Sequence, residues 1–205
     1  MNMASQTVDD DQLSAEDRAR ANVYALIGRL FYNAPDSDLL ARICNESEAG
    51  DGAGNASTLG EAWRALQVAC KRAYPAAVKQ EYDTLFVGVG KAEVTPYTSG
   101  YVTQSAPDRH LVTLREQLDT WGLARGTSAS EVEDHISGLC DIMRFLIEQR
   151  VSIANQRLFF EGFLYPGALP LCEAVMTAPS AGFYKQIALF TKAFLELDKG
   201  AFEMD

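Results

Sequence analysis

Positive charge and histidine are scarce in this chain: 18 Lys and Arg stand against 28 Asp and Glu, with 2 His in 205 residues and a formal net charge of −10. Nucleic-acid backbones are held by clustered cations, so this balance argues against DNA or RNA and favours a basic partner or plain solubility. His110 and His135 each lack a second ligand three or four residues on, which removes the usual basis for a structural zinc site. The four cysteines, Cys44, Cys70, Cys140 and Cys172, never pair as C-x-x-C. Each lies in or beside an apolar helical pattern, so they read as buried thiols in a reducing compartment. No stretch of 18 continuous apolar residues occurs, and "MNMASQTVDDDQLSAEDRAR" has no basic start followed by an apolar run. The expectation is a soluble, cytoplasmic chain without stable membrane insertion.

Phosphate loops are missing as well. Gly88, Gly90 and Lys91 complete neither the P-loop nor the dinucleotide pattern, and read as a helix stop. Without ligand clusters or phosphate loops, no metal or organic cofactor is expected. Alternating strands are absent too: "FVGVG" and "YVTQS" hold β-formers but sit beside glycine or proline. No internal repeat is evident.

What is present is helical periodicity, in a composition that is 47% hydrophobic and able to pack a core. Ser14 with Asp17 forms an approximate capping box before a stripe of Val23, Leu26, Ile27, Leu30 and Phe31 that stops near Pro35. Asp36 or Ser37 caps a short second helix; "ESEAGDGAGNAST" then reads as a loop. Trp63, Leu66 and Cys70 mark a third helix, and Pro75 opens a fourth whose Val78, Tyr82, Leu85 and Phe86 share a face. Asp108 starts another, with Leu111, Leu114, Leu118 and Trp121 in register. Ser130 with Glu133 is a second capping box, ahead of a wide stripe from Val132 through Ile136, Leu139, Cys140, Met143, Leu146 and Ile147. Two helices complete the pattern, one around Leu169 to Thr177 and one capped by Ser180 that carries Phe183, Ile187, Phe190, Phe194 and Leu197. The class is all-α, a helical bundle of two lobes. Residues 1–121 form the N-terminal lobe with a loop over 88–107, 122–129 ("GLARGTSA") the hinge, and 130–205 the C-terminal lobe.

Two stretches stand outside this periodicity. "TPYTSGY" puts Pro96, Tyr97, Ser99, Gly100 and Tyr101 into six positions, more aromatic than a simple connection needs. "EVEDH" places Asp134 and His135 near a helix start, where carboxylates also suit the positive end of the helix dipole. Adjacent helical residues point about 100° apart, so Asp134 cannot orient the His135 ring as a triad aspartate does, and no catalytic residue is assigned. Carboxylates, a histidine and an aromatic, proline-bearing loop suit a basic, partly apolar peptide, because guanidinium groups prefer carboxylates and aromatic faces. The plainer reading is that Tyr97 and Tyr101 plug a gap between lobes and that His135 borders the apolar stripe. Since Asp134 and His135 follow the Ser130 cap, truncating either is expected to cost little helix.

These segments resemble the TorD/DmsD family of chaperones for molybdenum-containing redox enzymes, over most of the chain. The family pattern "E-[FY]-x-x-L-F-x-G-P-G" is matched by Glu81-Tyr82-Asp83-Thr84-Leu85-Phe86-Val87-Gly88-Val89-Gly90. The family's "P-P-[YW]-x-S-x-Y" is matched by Thr95-Pro96-Tyr97-Thr98-Ser99-Gly100-Tyr101, and "E-P-x-D-H" by Glu131-Val132-Glu133-Asp134-His135. Val89, Thr95 and Val132 stand where the family has proline. The resemblance implies an all-helical cytoplasmic chaperone, not an enzyme, that binds the twin-arginine signal peptide and often the body of an unassembled oxidoreductase until its cofactor is inserted. It further implies that Pro96, Tyr97, Ser99, Gly100, Tyr101, Asp134 and His135 form one peptide-binding surface, and that the chain is a monomer or a dimer swapped about the hinge. Two other readings stay open, a small hydrolase or nucleotide-turnover enzyme using Asp134 and His135, and a helical assembly subunit that binds only a folded partner.

Overall fold

The structure is a computed structural model that describes residues 13–46, 58–88, 90–102, 107–121 and 134–204. Among the described residues the chain is helical and forms no strand, as the periodicity predicts. Helix α1 (Ala15–Tyr32) starts at Ser14, whose hydroxyl oxygen accepts the Asp17 N–H at 2.9 Å and donates to the Asp17 carboxylate at 2.9 Å. Asp36 caps α2 (Ser37–Asn45) in the same way, through the Leu39 N–H at 2.8 Å. The Trp63, Leu66 and Cys70 pattern becomes α3 (Thr58–Arg72), and Pro75 opens α4 (Pro75–Tyr82), where its missing N–H costs nothing.

Helix α4 runs on into a wider π turn, Asp83–Val87, closed when the Gly88 N–H donates to the Asp83 carbonyl at 2.6 Å. Gly88 then turns at φ 64°, with Lys91 backbone 2.4 Å from where a Cβ would sit, so this helix stop admits only glycine. Helix α5 (Ser99–Val102) is a single turn within the aromatic loop that periodicity does not reveal, being too short to show a repeat. Helix α6 (Pro107–Thr120) buries Leu114 and Leu118, and α7 (Ile136–Glu148) buries its whole expected stripe from Ile136 to Ile147. The capping box at Ser130, the hinge at 122–129, Val132 and the loop at 47–57 lie outside the described residues.

The sequence reading places no helix before Leu169 in the next segment, yet Ile153–Thr177 is one helical run: α8 (Ile153–Phe159), a π turn (Phe160–Leu164) and α9 (Tyr165–Thr177). Gly162, Pro166 and Pro170 hide it, because the π turn breaks the 3.6-residue repeat and Pro166 falls in the first turn of α9, where proline is tolerated. Among the described residues this is the one span long and apolar enough to cross a membrane, with mean hydropathy 1.2, and half of it is buried in the protein's own core.

Helix α10 (Phe183–Met204) also departs from expectation at its start. Ser180 does not cap it; the Ser180 hydroxyl and N–H donate to Glu93 instead. The cap comes from Glu81, whose carboxylate accepts the N–H groups of Gly182 at 2.8 Å, Phe183 at 3.0 Å and Tyr184 at 2.7 Å. Leu197, expected in the apolar stripe, is 57% exposed.

Helices from both ends of the chain build one buried cluster. The most extensive packing is α1 on α7, followed by α10 on α3 and on α9. Gly28 permits the first: a Cβ there would lie 3.3 Å from the Ser137 carbonyl and 3.4 Å from Cys140 Cβ. Among the described residues the Thr191 hydroxyl is buried without a hydrogen-bond partner, while other buried polar groups tie the helices together. Tyr82 donates to the carbonyls of Tyr32 at 2.8 Å and Phe31 at 3.2 Å, and Tyr184 to Leu30 at 3.1 Å, supplying partners to the open carbonyls at the end of α1. Asp198, 3% exposed, accepts Arg20 Nε at 2.7 Å and the Tyr24 hydroxyl at 2.5 Å, tying α10 to α1.

Candidate peptide-binding site

The aromatic loop and the start of α7 are joined by main-chain bonds. The Thr98 N–H donates to the Asp134 carbonyl at 2.9 Å and the Ile136 N–H to the Pro96 carbonyl at 3.0 Å, so Tyr97 and His135 form an isolated antiparallel bridge. Side chains repeat the link. The Thr98 hydroxyl donates to the Asp134 carbonyl at 3.0 Å, and the Ser99 hydroxyl donates to the Asp134 carboxylate. The Tyr97 ring stands edge-on to the His135 ring, 5.3 Å between centroids and 81° between planes.

All seven expected site residues therefore come together, but at different depths. Asp134 and His135 are 3% and 4% exposed, and Pro96 and Ser99 are buried; Tyr97 and Tyr101 are half-buried and Gly100 is exposed. Tyr101 returns its hydroxyl to the Thr95 carbonyl at 2.9 Å, and burial pushes its phenol up from the ordinary range. The reachable edge of this surface is thus tyrosine and glycine.

His135 is itself the N-cap of α7: its Nδ1 accepts the Ser137 N–H at 3.1 Å and lies 2.6 Å from the Ser137 hydroxyl. This corrects the expectation that truncating His135 costs little helix, since the capping group is the histidine ring. It also bears on chemistry. Nδ1, already an acceptor for a backbone N–H, meets the hydroxyl in a 4%-exposed position, while the Asp134 carboxylate is taken by Ser99. The Nδ1 contacts of His135 and the Ser99–Asp134 bond brace the helix start.

A further residue in the arrangement went unnoticed in the sequence. Gly167 on α9 faces the loop so closely that a Cβ there would lie 2.4 Å from Thr98 Cβ and 2.7 Å from the Thr98 carbonyl oxygen. The only signal is a glycine within "YPGALP", which reads as a helix breaker when its neighbour is unknown. The loop's other edge is fixed where the Val94 N–H donates to the Leu85 carbonyl at 2.8 Å. Glu81 and Tyr82, the first two residues of the helix motif, serve α10 and α1.

Among the described residues no group of three His, Cys, Asp or Glu side chains is placed to hold a metal ion. No curated protein matches the chain. A family model described as "Nitrate reductase delta subunit" matches residues 53–169, more than half of the chain and both the loop and the start of α7. The all-α fold, the three motifs in order and this match agree, and the chain belongs to the nitrate reductase delta subunit family, chaperones of molybdoenzyme maturation that act on a subunit or precursor of such an enzyme.

Proposed function

We propose that this chain is a cytoplasmic chaperone that binds the twin-arginine signal peptide of a molybdenum-containing oxidoreductase precursor and catalyses no reaction. The observation that carries the reading is the pair of main-chain hydrogen bonds between the loop and the start of α7, Thr98 to Asp134 and Ile136 to Pro96, which presents Tyr97, Gly100 and Tyr101 along one edge. Tyrosine faces suit guanidinium groups, an exposed glycine lets a peptide backbone approach, and a net charge of −10 draws a basic peptide in. In this reading Pro96, Ser99, Asp134 and His135 hold the edge in place. In the same reading the chain is a monomer, or a dimer that exchanges lobes about the hinge expected at 122–129.

The test is calorimetric titration of a synthetic twin-arginine signal peptide, beside the same peptide with both arginines changed to lysine. The arginine form is expected to bind more tightly, because lysine is a poorer partner for an aromatic face. Its affinity should fall moderately with salt, since exposed charges are screened over about 8 Å at physiological ionic strength. Equal binding of the two peptides would remove the role given to the tyrosines, and no binding at all would leave a chaperone that recognises only a folded partner.

A further inference from the structure

Two of the four thiols meet where α2 packs on α3: Cys44 lies in the last turn of α2 and Cys70 in the last turn of α3. Gln67 fixes the join. Its side-chain amide donates to the Ile43 carbonyl at 3.0 Å and to the Glu46 carbonyl at 2.8 Å, one on each side of Cys44 in sequence. The Cys44 Sγ lies 3.8 Å from the Gln67 carbonyl oxygen. Helix carbonyls point toward the C-terminus and side chains lean toward the N-terminus, so the Gln67 carbonyl and the Cys70 side chain three residues on share one face of α3. Cys44 and Cys70 share a thiol–thiol hydrogen bond there.

The two thiols differ in access. Cys44 is half-buried, while Cys70, Cys140 and Cys172 are buried, so Cys44 is the thiol that an oxidant in solution meets first. Burial, and then the neighbouring Cys44, push the Cys70 thiol up from 9.0 to about 12, which makes it a poor first nucleophile.

We propose that Cys44 and Cys70 are a reversible disulfide site, oxidised by a peroxide and restored by a dithiol. The Cys44 thiolate attacks one peroxide oxygen; the S–O bond forms as the O–O bond breaks, hydroxide leaves, and a sulfenic acid results. The Cys70 sulfur then attacks the Cys44 sulfur. The S–S bond forms, the S–O bond breaks, and the departing hydroxide takes the Cys70 proton and leaves as water. The two sulfurs together lose two electrons, the peroxide gains two, and two waters are released. A dithiol returns the electrons by exchange through a mixed disulfide. Oxidation thus adds a covalent bond where the Gln67 amide already ties the end of α2 to α3. In a reducing compartment such a bond persists only while oxidant is present, which is the behaviour of a redox-sensing pair. The site does not rest on the signal-peptide reading, since neither α2 nor α3 contributes a residue to that surface.

The test treats the reduced, full-length chain with stoichiometric hydrogen peroxide, alkylates the remaining thiols in denaturant, and maps an unreduced digest by mass spectrometry. The expected product links Cys44 to Cys70, leaves Cys140 and Cys172 alkylated, and disappears on treatment with dithiothreitol. In Cys70→Ser, Cys44 should be trapped as its sulfenic acid by dimedone. In Cys44→Ser, Cys70 should lose its thiol roughly tenfold more slowly than in the wild type. If Cys70→Ser melts early, Cys70→Ala takes its place, and the wild-type map decides independently of either. A wild-type Cys44 that ends as sulfinic acid beside a free Cys70, a disulfide to Cys140 or Cys172, links formed only between chains, or equally fast loss of the Cys70 thiol with and without Cys44 would each overturn the proposal.

Discussion

Glu81 holds the backbone N–H of Tyr184 at 2.7 Å, and two tyrosines complete the joint: Tyr82, the residue after Glu81, and Tyr184 itself both reach the end of α1 through their hydroxyls. One dipeptide thus supplies acceptors to the open start of one helix and a donor to the open end of another. Glu81→Ala leaves three N–H groups at the head of α10 without their carboxylate, and is expected to destabilise the fold by about 2 kcal/mol, in the range for a lost cap and charged hydrogen bonds. Glu81→Gln should recover part of this. Urea denaturation measures both; an unchanged midpoint for the alanine variant would show that water replaces the carboxylate at no cost.

Gly167→Ala forces a methyl group into Thr98, and the expected loss is about 1–3 kcal/mol, as for other overpacked sites. Because Thr98 is hydrogen-bonded to Asp134, the same change should also weaken binding of the twin-arginine peptide. Gly200→Ala is the control. Nothing lies within 4 Å of a Cβ at Gly200, and alanine there is expected to raise stability by about 0.4–1 kcal/mol. Thermal melts that put both variants on the same side of wild type would contradict the packing argument.

His135→Ala should cost about 1 kcal/mol as a lost N-cap, and His135→Asn should restore most of it, since asparagine is a strong capping residue. Tyr97 is half-buried with its ring against His135, so Tyr97→Ala should cost a similar amount through the ring pair while reducing peptide affinity more than tenfold. Melting and titration on the three variants separate support from contact. Full affinity in a folded Tyr97→Ala protein would move the peptide off this edge.

Alkaline pH should destabilise the fold through its thiols. Burial, the largest influence, pushes Cys172 up from 9.0 to about 12. The folded state therefore keeps a proton that the unfolded state gives up. The stability this contributes is complete below pH 9.0 and is lost as pH rises from there toward 12. Denaturation at several pH values is expected to show the decline in wild type and a shallower one in Cys172→Ala; identical slopes would assign the decline to other groups.

Where a helix announces itself by a local cap and a regular stripe, its sequence is enough. Ser14 with Asp17, Asp36, and the stripe from Ile136 to Ile147 all appear where the pattern puts them. Elements fixed by distant partners are not legible in that way. Ser180 is a sound local cap, but the Glu81 carboxylate, arriving from 103 residues away, outcompetes it for the start of α10. The run through Phe160–Leu164 escapes notice because a π turn shifts the register by one residue. The site divides along the same line. The motifs bring their residues together in space, while the depth of His135 and Asp134 and the closeness of Gly167 depend on what packs over them.

The Glu81 joint also orders events in time. Its two halves are 103 residues apart, and α1 finds its main partner in α7, so little of the core can close while the polypeptide is still short. A chain leaving the ribosome must hold α1, α3 and α4 with their apolar faces incomplete until α10 arrives. Contacts between segments so far apart in sequence close only after the entropy of the long intervening loop has been overcome. A protein that shelters unfinished enzymes is, by its own topology, exposed for an interval to the hazard it guards others against.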